Sequence, residues 1–233
     1  MLNAQGKAII RRGKTRGWIV EPEAKTLLRI FNFAVPDFLW TTQLQEAEAF
    51  AAEYGFPLAM KIVSSAIVHK SEAGGVALGI DSQEKIREHF ERFQAFDGFE
   101  GVLLEEMVQG SAEVIIGSKT DRQFGPVVLL GIGGTGVEIY NDAVLRMAPL
   151  TETDVRAMFD ALQGKELLTG FRGGSGINLA YLQQMLIRFS NLVMELPDIE
   201  SIDLNPVICS RERAVIADAR FILKSAPPGS GLT

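Results

Sequence analysis

The chain has 233 residues, 47% of them hydrophobic and 22% charged, with a formal net charge of −6. That profile excludes disorder of the whole and gives enough apolar side chains for a sizeable core, in one large domain or two lobes. The acidic balance excludes a polyanion such as DNA as the main partner, because phosphate-backbone binding needs a net cationic face, while a local cationic pocket stays compatible with it. Cys209 is the only cysteine, so no intramolecular disulfide can form, and its expected place is a small buried position near a strand end. No apolar run approaches the roughly 18–20 residues that span a bilayer, and the first twenty residues lack the apolar region and cleavage site of a secretory signal. A cytoplasmic location is expected, with no membrane and no nucleic-acid partner.

Residues 1–20 form a lead segment with several basic side chains. From Glu21 the pattern turns helical: Pro22 falls in the first turn, Glu21 and Glu23 stand where the helix dipole favours acids, and Ala24, Leu27, Leu28 and Phe31 form an apolar stripe. A short strand is expected over 33–38. Thr41-Thr42 then opens a helix running to Tyr54, with Leu44, Ala47, Phe50 and Ala51 on one face and Gly55 and Pro57 at its end.

Pro57 to Ile80 joins the features that chemistry needs most. An apolar run carrying Lys61 leads to a polar loop with His69, Lys70 and Ser71, then Gly74-Gly75 and a second apolar run, which reads as two strands flanking a small cationic loop. A lysine supplies a compact charge for phosphate oxygens, and a neutral imidazole can act as nucleophile or proton shuttle. A solvated strand-end lysine and a surface histidine are the plainer alternative. Residues 81–95 read as an amphipathic helix burying Ile86, Phe90 and Phe93, with His89 on its solvated face.

Residues 101–107 (GVLLEEM) form a strand ending in two carboxylates, and a turn at 108–112 leads to a strand over 113–117. Glu105 and Glu113 flank that turn. Either its backbone reads a base edge while a carboxylate holds ribose hydroxyls, or it is an acidic surface turn. The run FGPVVLLGIGGTG at 124–136 is a strand emptying into glycines that allow close backbone approach. No helix opens directly after it, so it is not a dinucleotide fingerprint, and no GxxxxGK[ST] loop occurs. Residues 137–146 read as strand, turn and strand, and 151–162 as a helix capped by Thr151. A glycine-rich loop at 170–176 holds Arg172, placed to reach a phosphate or to sit in solvent. A long amphipathic helix follows over 178–195.

The last feature is a hairpin of 199–208 and 214–220. Alternation puts Asp203 and Asn205 on one face, with Asp218 on the partner strand. Oxygen ligands on one face, completed by phosphates, suit Mg2+; outward-facing solvated charges are the alternative. Beyond Lys224, residues 225–233 are expected to be a mobile tail.

From about Glu21 to Leu223 the chain resembles the ATP-grasp (beta) subunit of nucleoside-diphosphate-forming acyl-CoA synthetases. That family is typified by ADP-forming acetyl-CoA synthetase and related to the succinyl-CoA synthetase beta subunit. The resemblance rests on an ordered set: EPEAK at 21–25, GFPLAMKIVS at 55–64, IVHKSEAGGV at 67–76, LLEEMV at 103–108, GSKTDRQFGPVVLLGIGG at 117–134, RMAPLT at 146–151, then IDLNPV and ADAR. It implies an α+β ATP-grasp fold whose two lobes, 21–100 and 101–224, enclose a nucleotide cleft. Lys61 is similar to the lysine on the nucleotide phosphates. Glu105 and Glu113, with Val108 between them, match the adenine–ribose hinge, and Asn205 and Asp218 the Mg2+ ligands. Asp203 matches the carboxylate facing the transferring phosphoryl group, and His69 the transiently phosphorylated histidine. The family's reaction interconverts acyl-CoA, ADP and phosphate with carboxylic acid, CoA and ATP, which makes the expected activity that of an acid–thiol ligase. ATP/ADP and Mg2+ are the implied cofactors. CoA and the carboxylic acid would be handled by an alpha-type CoA-binding partner subunit. The alternative is a regulatory ATP-grasp subunit of an acyltransferase-type complex that does not turn over nucleotide; the joint presence of Lys61, His69, Asp203, Asn205 and Asp218 favours the enzyme.

Overall fold

The computed structural model describes residues 2–67, 70–134, 142–170 and 176–224. In chain order its first elements are α1 (Ala4–Arg16), β1 (Trp18–Ile19), α2 (Glu21–Ile30), β2 (Phe38–Thr41), α3 (Leu44–Tyr54), β3 (Leu58–Ser64), β4 (Val76–Ile80), α4 (Gln83–Gln94) and β5 (Phe99–Glu106). They are followed by β6 (Ala112–Asp121), β7 (Gly125–Ile132), β8 (Ala143–Met147), α5 (Glu152–Ala161), α6 (Lys165–Thr169), α7 (Leu179–Glu195), β9 (Ile199–Cys209), β10 (Ala214–Ile216) and β11 (Arg220–Leu223). This is the expected α+β mixture, and all pairings within both sheets are antiparallel.

The chain forms two compact units. The first comprises Met1–Ile19, Glu23–Val35 and Gln109–Thr233, the second Val20–Pro22 and Pro36–Val108. The expected boundaries at 20 and 100 fall elsewhere for two physical reasons. Helices α1 and α2 send Ile9, Ile10, Ala24, Leu27 and Leu28 into the first unit's core, and β5 runs across residue 100 as the partner of β3. The tail 225–233 lies outside the described residues.

In the first unit the sheet order is β1-β11-β9-β6-β7-β8, with β10 also paired to β9. Side chains alternate, so Val114 and Ile116, Val128 and Leu130, and Ile202 and Leu204 face one way, against Val155 and Met158 of α5 and Met185, Leu186 and Phe189 of α7. Helix α1 was not expected. Asn3 caps it by accepting from the Gly6 amide at 2.8 Å, and Gly17 ends it at φ 82°. The strand expected over 33–38 is also displaced, to β2. Asn32 leaves α2 at φ 60°, and Phe33 turns back into the first unit's core, its amide donating to the Leu28 carbonyl at 3.0 Å.

The second unit is a four-stranded sheet, β2-β5-β3-β4. One face, with Leu58, Met60, Ile62, Val102 and Leu104, is covered by Ala47, Phe50 and Ala51 of α3 and Ile86, Phe90 and Phe93 of α4. Gly101 at φ 128° admits the neighbouring strand: a Cβ there would sit 2.7 Å from the Thr41 carbonyl oxygen. The opposite face of this sheet carries the candidate site.

Candidate active site

Strand β3 is buried along its whole length. Its even positions fill the apolar core, so alternation sends Ala59, Lys61 and Val63 to the other face. Register completes the arrangement. Lys61 stands opposite Leu103 and Ala59 opposite Glu105, which makes Lys61 and Glu105 diagonal neighbours within reach of their long side chains. The Lys61 ammonium lies 2.8 Å from Glu105 Oε1 and donates to Glu21 Oε1 at 2.8 Å. Lys61 and Glu21 are each 5% exposed and Glu105 3%. Lys70 also pairs with Glu21, through the other carboxylate oxygen. Two ammonium groups and two carboxylates thus form one cluster, buried except for the half-buried Lys70, the state in which a lysine such as Lys61 is tolerated away from water.

Lys61 is therefore no solvated strand end, and Glu105 no part of an acidic surface turn. Both alternatives fail because the two side chains are buried. Glu21 was missed as a site residue: at a helix start an acid is explained by the dipole alone, and its partners stand 40 and 49 positions away. The turn holding Lys70 is fixed to the sheet, with the Gly75 amide donating to the Lys70 carbonyl at 2.7 Å and the Ile62 amide to the Gly75 carbonyl at 2.8 Å. His69 lies outside the described residues, as does Arg172. Val108, half-buried, follows β5 at the end of the second unit.

In the first unit, β9 turns Ile202 and Leu204 to the core and alternation gives Asp203 and Asn205 the opposite face, where both are half-buried. Asp218 is not on a partner strand. Strand β10 stops at Ile216 and β11 starts at Arg220, so Asp218 sits in the connection, where the Ala217 amide donates to the Pro206 carbonyl at 3.0 Å. Its Oδ1 accepts from the Ala219 amide at 2.7 Å. Arg220 is in register with Asp203 and its guanidinium lies 3.7 Å from the carboxylate. Burial holds the Asp203 carboxyl above the ordinary carboxylate range; Arg220 opposes this and the Asp218 charge reinforces it.

A carboxyl held above its ordinary range by burial and by the Asp218 charge, with the Asn205 amide two residues away, is a hard-oxygen donor that a divalent cation would relieve. Among the described residues no three His, Cys, Asp or Glu side chains are grouped to cage a metal. The oxygen donors of Asp203, Asn205 and Asp218 are of the chemical kind that Mg2+ takes when it keeps water and phosphate oxygens as further ligands. Glu113 is exposed on β6, its carbonyl accepting from the Gly133 amide at 2.8 Å. His89 is not fully solvated: it is half-buried beside Phe93, with a buried Nδ1 that makes no hydrogen bond. Cys209 is buried at the end of β9, as expected, and burial pushes its thiol up to about 12. No helix among the described residues is long and apolar enough to cross a membrane.

The family model for the ATP-grasp domain matches residues 10–223, and the two-sheet architecture with its charged strand face is of that class. The chain is 37% identical over 228 residues to the beta subunit of ADP-forming acetate–CoA ligase I of Pyrococcus furiosus, covering 94% of this chain and 98% of that one. It is 34% identical, at a TM-score of 0.86, to the dinucleotide-forming acetyl-coenzyme A synthetase 1 of Ca. Korarchaeum cryptofilum solved with coenzyme A, Ca-AMPCP and HgCl+; 94% of this chain and 99% of that one are covered. A second structure of that enzyme, with coenzyme A and Mg-AMPPCP and its phosphohistidine segment pointing towards the nucleotide binding site, matches at 35% identity and a TM-score of 0.82, over 94% and 99% of the two chains. The chain belongs to the ATP-grasp family, among the beta subunits of ADP-forming acetate–CoA ligases.

Proposed function

We propose that the chain is the nucleotide-binding subunit of an ADP-forming acyl-CoA synthetase of the acetyl-CoA type, moving a phosphoryl group between ATP/ADP and His69. The observation that carries this reading is the ammonium of Lys61, held at 5% exposure in the middle of a central strand. A packed sheet gains nothing from an ion there that an apolar side chain would not supply, whereas phosphoryl transfer needs a fixed, poorly hydrated cation.

In the direction of acyl-CoA synthesis an imidazole nitrogen of His69 attacks the γ-phosphorus of ATP, the bond from that phosphorus to the bridging oxygen breaks, and ADP leaves with the electron pair. Lys61 offsets the charge on the phosphate oxygens. Glu105, Val108 and Glu113 are assigned to the adenosine end by the family resemblance, with the Val108 backbone for the base edge; the Glu105 carboxylate is held by Lys61 in this structure. Asn205 and Asp218 would hold Mg2+, which when bound neutralises phosphate charge. Asp203, beside them, faces the group in transfer and keeps water and the nucleophile oriented by accepting hydrogen bonds. CoA and the carboxylic acid are then handled by an alpha-type partner subunit, in keeping with the beta-subunit relative. A cytoplasmic setting accords with a sole, buried cysteine thiol.

The test is incubation with Mg2+ and ATP, with and without the alpha-type partner, followed by intact mass spectrometry of wild type and His69→Ala. Wild type gains an acid-labile phosphoryl group and the variant does not. Equal labelling of the two would remove His69 from the mechanism.

A further inference from the structure

We propose that Glu21 is a positioning residue: its carboxylate holds Lys61 and the Lys70 turn together as an internal counter-anion whose place on Lys61 a nucleotide phosphate takes. The inference rests on the nucleotide-binding role given above and adds to it a residue and a competition. Glu21 uses its two oxygens on two different lysines, Oε1 on Lys61 at 2.8 Å and Oε2 on Lys70. Glu105 occupies Lys61 from another direction at 2.8 Å.

This division of labour has two consequences. The first is mechanical. Lys70 begins a turn closed by the Gly75 amide on the Lys70 carbonyl and the Gly74 amide on the Ser71 carbonyl, and it immediately follows His69 in sequence. A charge-assisted bond from Lys70 to the first turn of α2 ties that turn to the strand bearing Lys61. The second is electrostatic. An entering phosphate and the Glu21 carboxylate seek the same ammonium, so part of the phosphate's attraction is spent displacing an anion already in place. Removing the Glu21 charge should then tighten nucleotide binding while loosening the turn beside the nucleophile. A defect of folding alone would weaken both binding and transfer.

Three measurements on the full chain test this with wild type, Glu21→Gln and Lys70→Gln. Hydrogen exchange in peptides covering 70–75 should quicken in both variants, with peptides from β7 unchanged. Titration with Mg·ADP should give Glu21→Gln a Kd several-fold below wild type, and the rate of His69 labelling by ATP should fall at least about tenfold, equivalent to about 1.4 kcal/mol in the barrier. Lys70→Gln keeps the Lys61–Glu21 pair and tests the tether if Glu21→Gln fails to fold. Unchanged exchange at 70–75 in the variants, or a Kd that rises in step with the loss of rate, overturns the inference while leaving the nucleotide reading intact. A wild type that neither binds Mg·ADP nor becomes labelled overturns both.

Discussion

An aspartate and an arginine in register on adjacent strands would ordinarily be read as a stabilising pair, yet Asp203 is held above its usual range because burial and Asp218 outweigh Arg220. The sign follows from proton counts. Between the ordinary value of 3.8 and the raised folded value the native chain binds more protons than the unfolded one, so the group's contribution to stability declines as pH rises through that window. Asp203→Asn should therefore raise Tm at pH 7, with the gain vanishing as pH falls towards 3.8, even as phosphoryl transfer is lost. The effect is modest because the side chain is 46% exposed. Differential scanning calorimetry across the pH series checks it; a lower Tm for the variant at pH 7 would mean that the Arg220 pair dominates. His89 carries the opposite sense. Its imidazole is lowered from 6.5, chiefly by burial and then by Arg92, so protonation there opposes folding and stability is lost as pH falls through 6.5.

At the scale of elements, legibility tracks where the apolar atoms are. Helices α4 and α7 were readable because Ile86, Phe90 and Phe93, and Leu182, Met185, Leu186 and Phe189, occupy the buried spacing with large side chains. Helix α5 was readable from its start: Thr151 accepts from the Asp154 amide at 3.2 Å while the Asp154 carboxylate accepts from the Thr151 amide at 2.8 Å. Thr151→Ala should cost about 1 kcal/mol, measured by urea denaturation, with nucleotide affinity unaltered. Helix α1 hid itself because its buried positions are Gly6, Ile9, Ile10 and Gly13. The spacing is helical, but half of the stripe is glycine, used for contact rather than bulk: a Cβ on Gly13 would come within 2.6 Å of Leu223. The break between β10 and β11 was equally invisible, since Ala217–Ala219 reads as continuous strand. In the candidate site, Lys61 within an apolar strand and the Asp203–Asn205 alternation were legible locally, and the roles proposed for them rest on the ordered family motifs. Glu21 was not, because only the folded sheet brings it to Lys61.

For the molecule as a whole, the functional reading makes ligand and stability inseparable. Mg·ADP at 100 times its Kd should add about 2.7 kcal/mol to the stability of whichever residues bind it, seen as a higher Tm that EDTA largely reverses. No shift in Tm with Mg·ADP would contradict a nucleotide-binding role. One feature of the first unit bears on how the chain is made. Strand β1 has β11 as its partner, Trp18 facing Ile222 and Ile19 facing Phe221, so residues far apart in the sequence complete one sheet edge. Ile9 and Ile10 leave the ribosome long before Phe221, and long-range antiparallel pairing of this kind is slow to form. The second unit, nearly all of it between Pro36 and Val108, has its sheet partners in hand once Val108 is made. Helix α1 instead waits, its apolar side exposed, for strands made much later, which makes it a segment of the nascent polypeptide that a chaperone would shield.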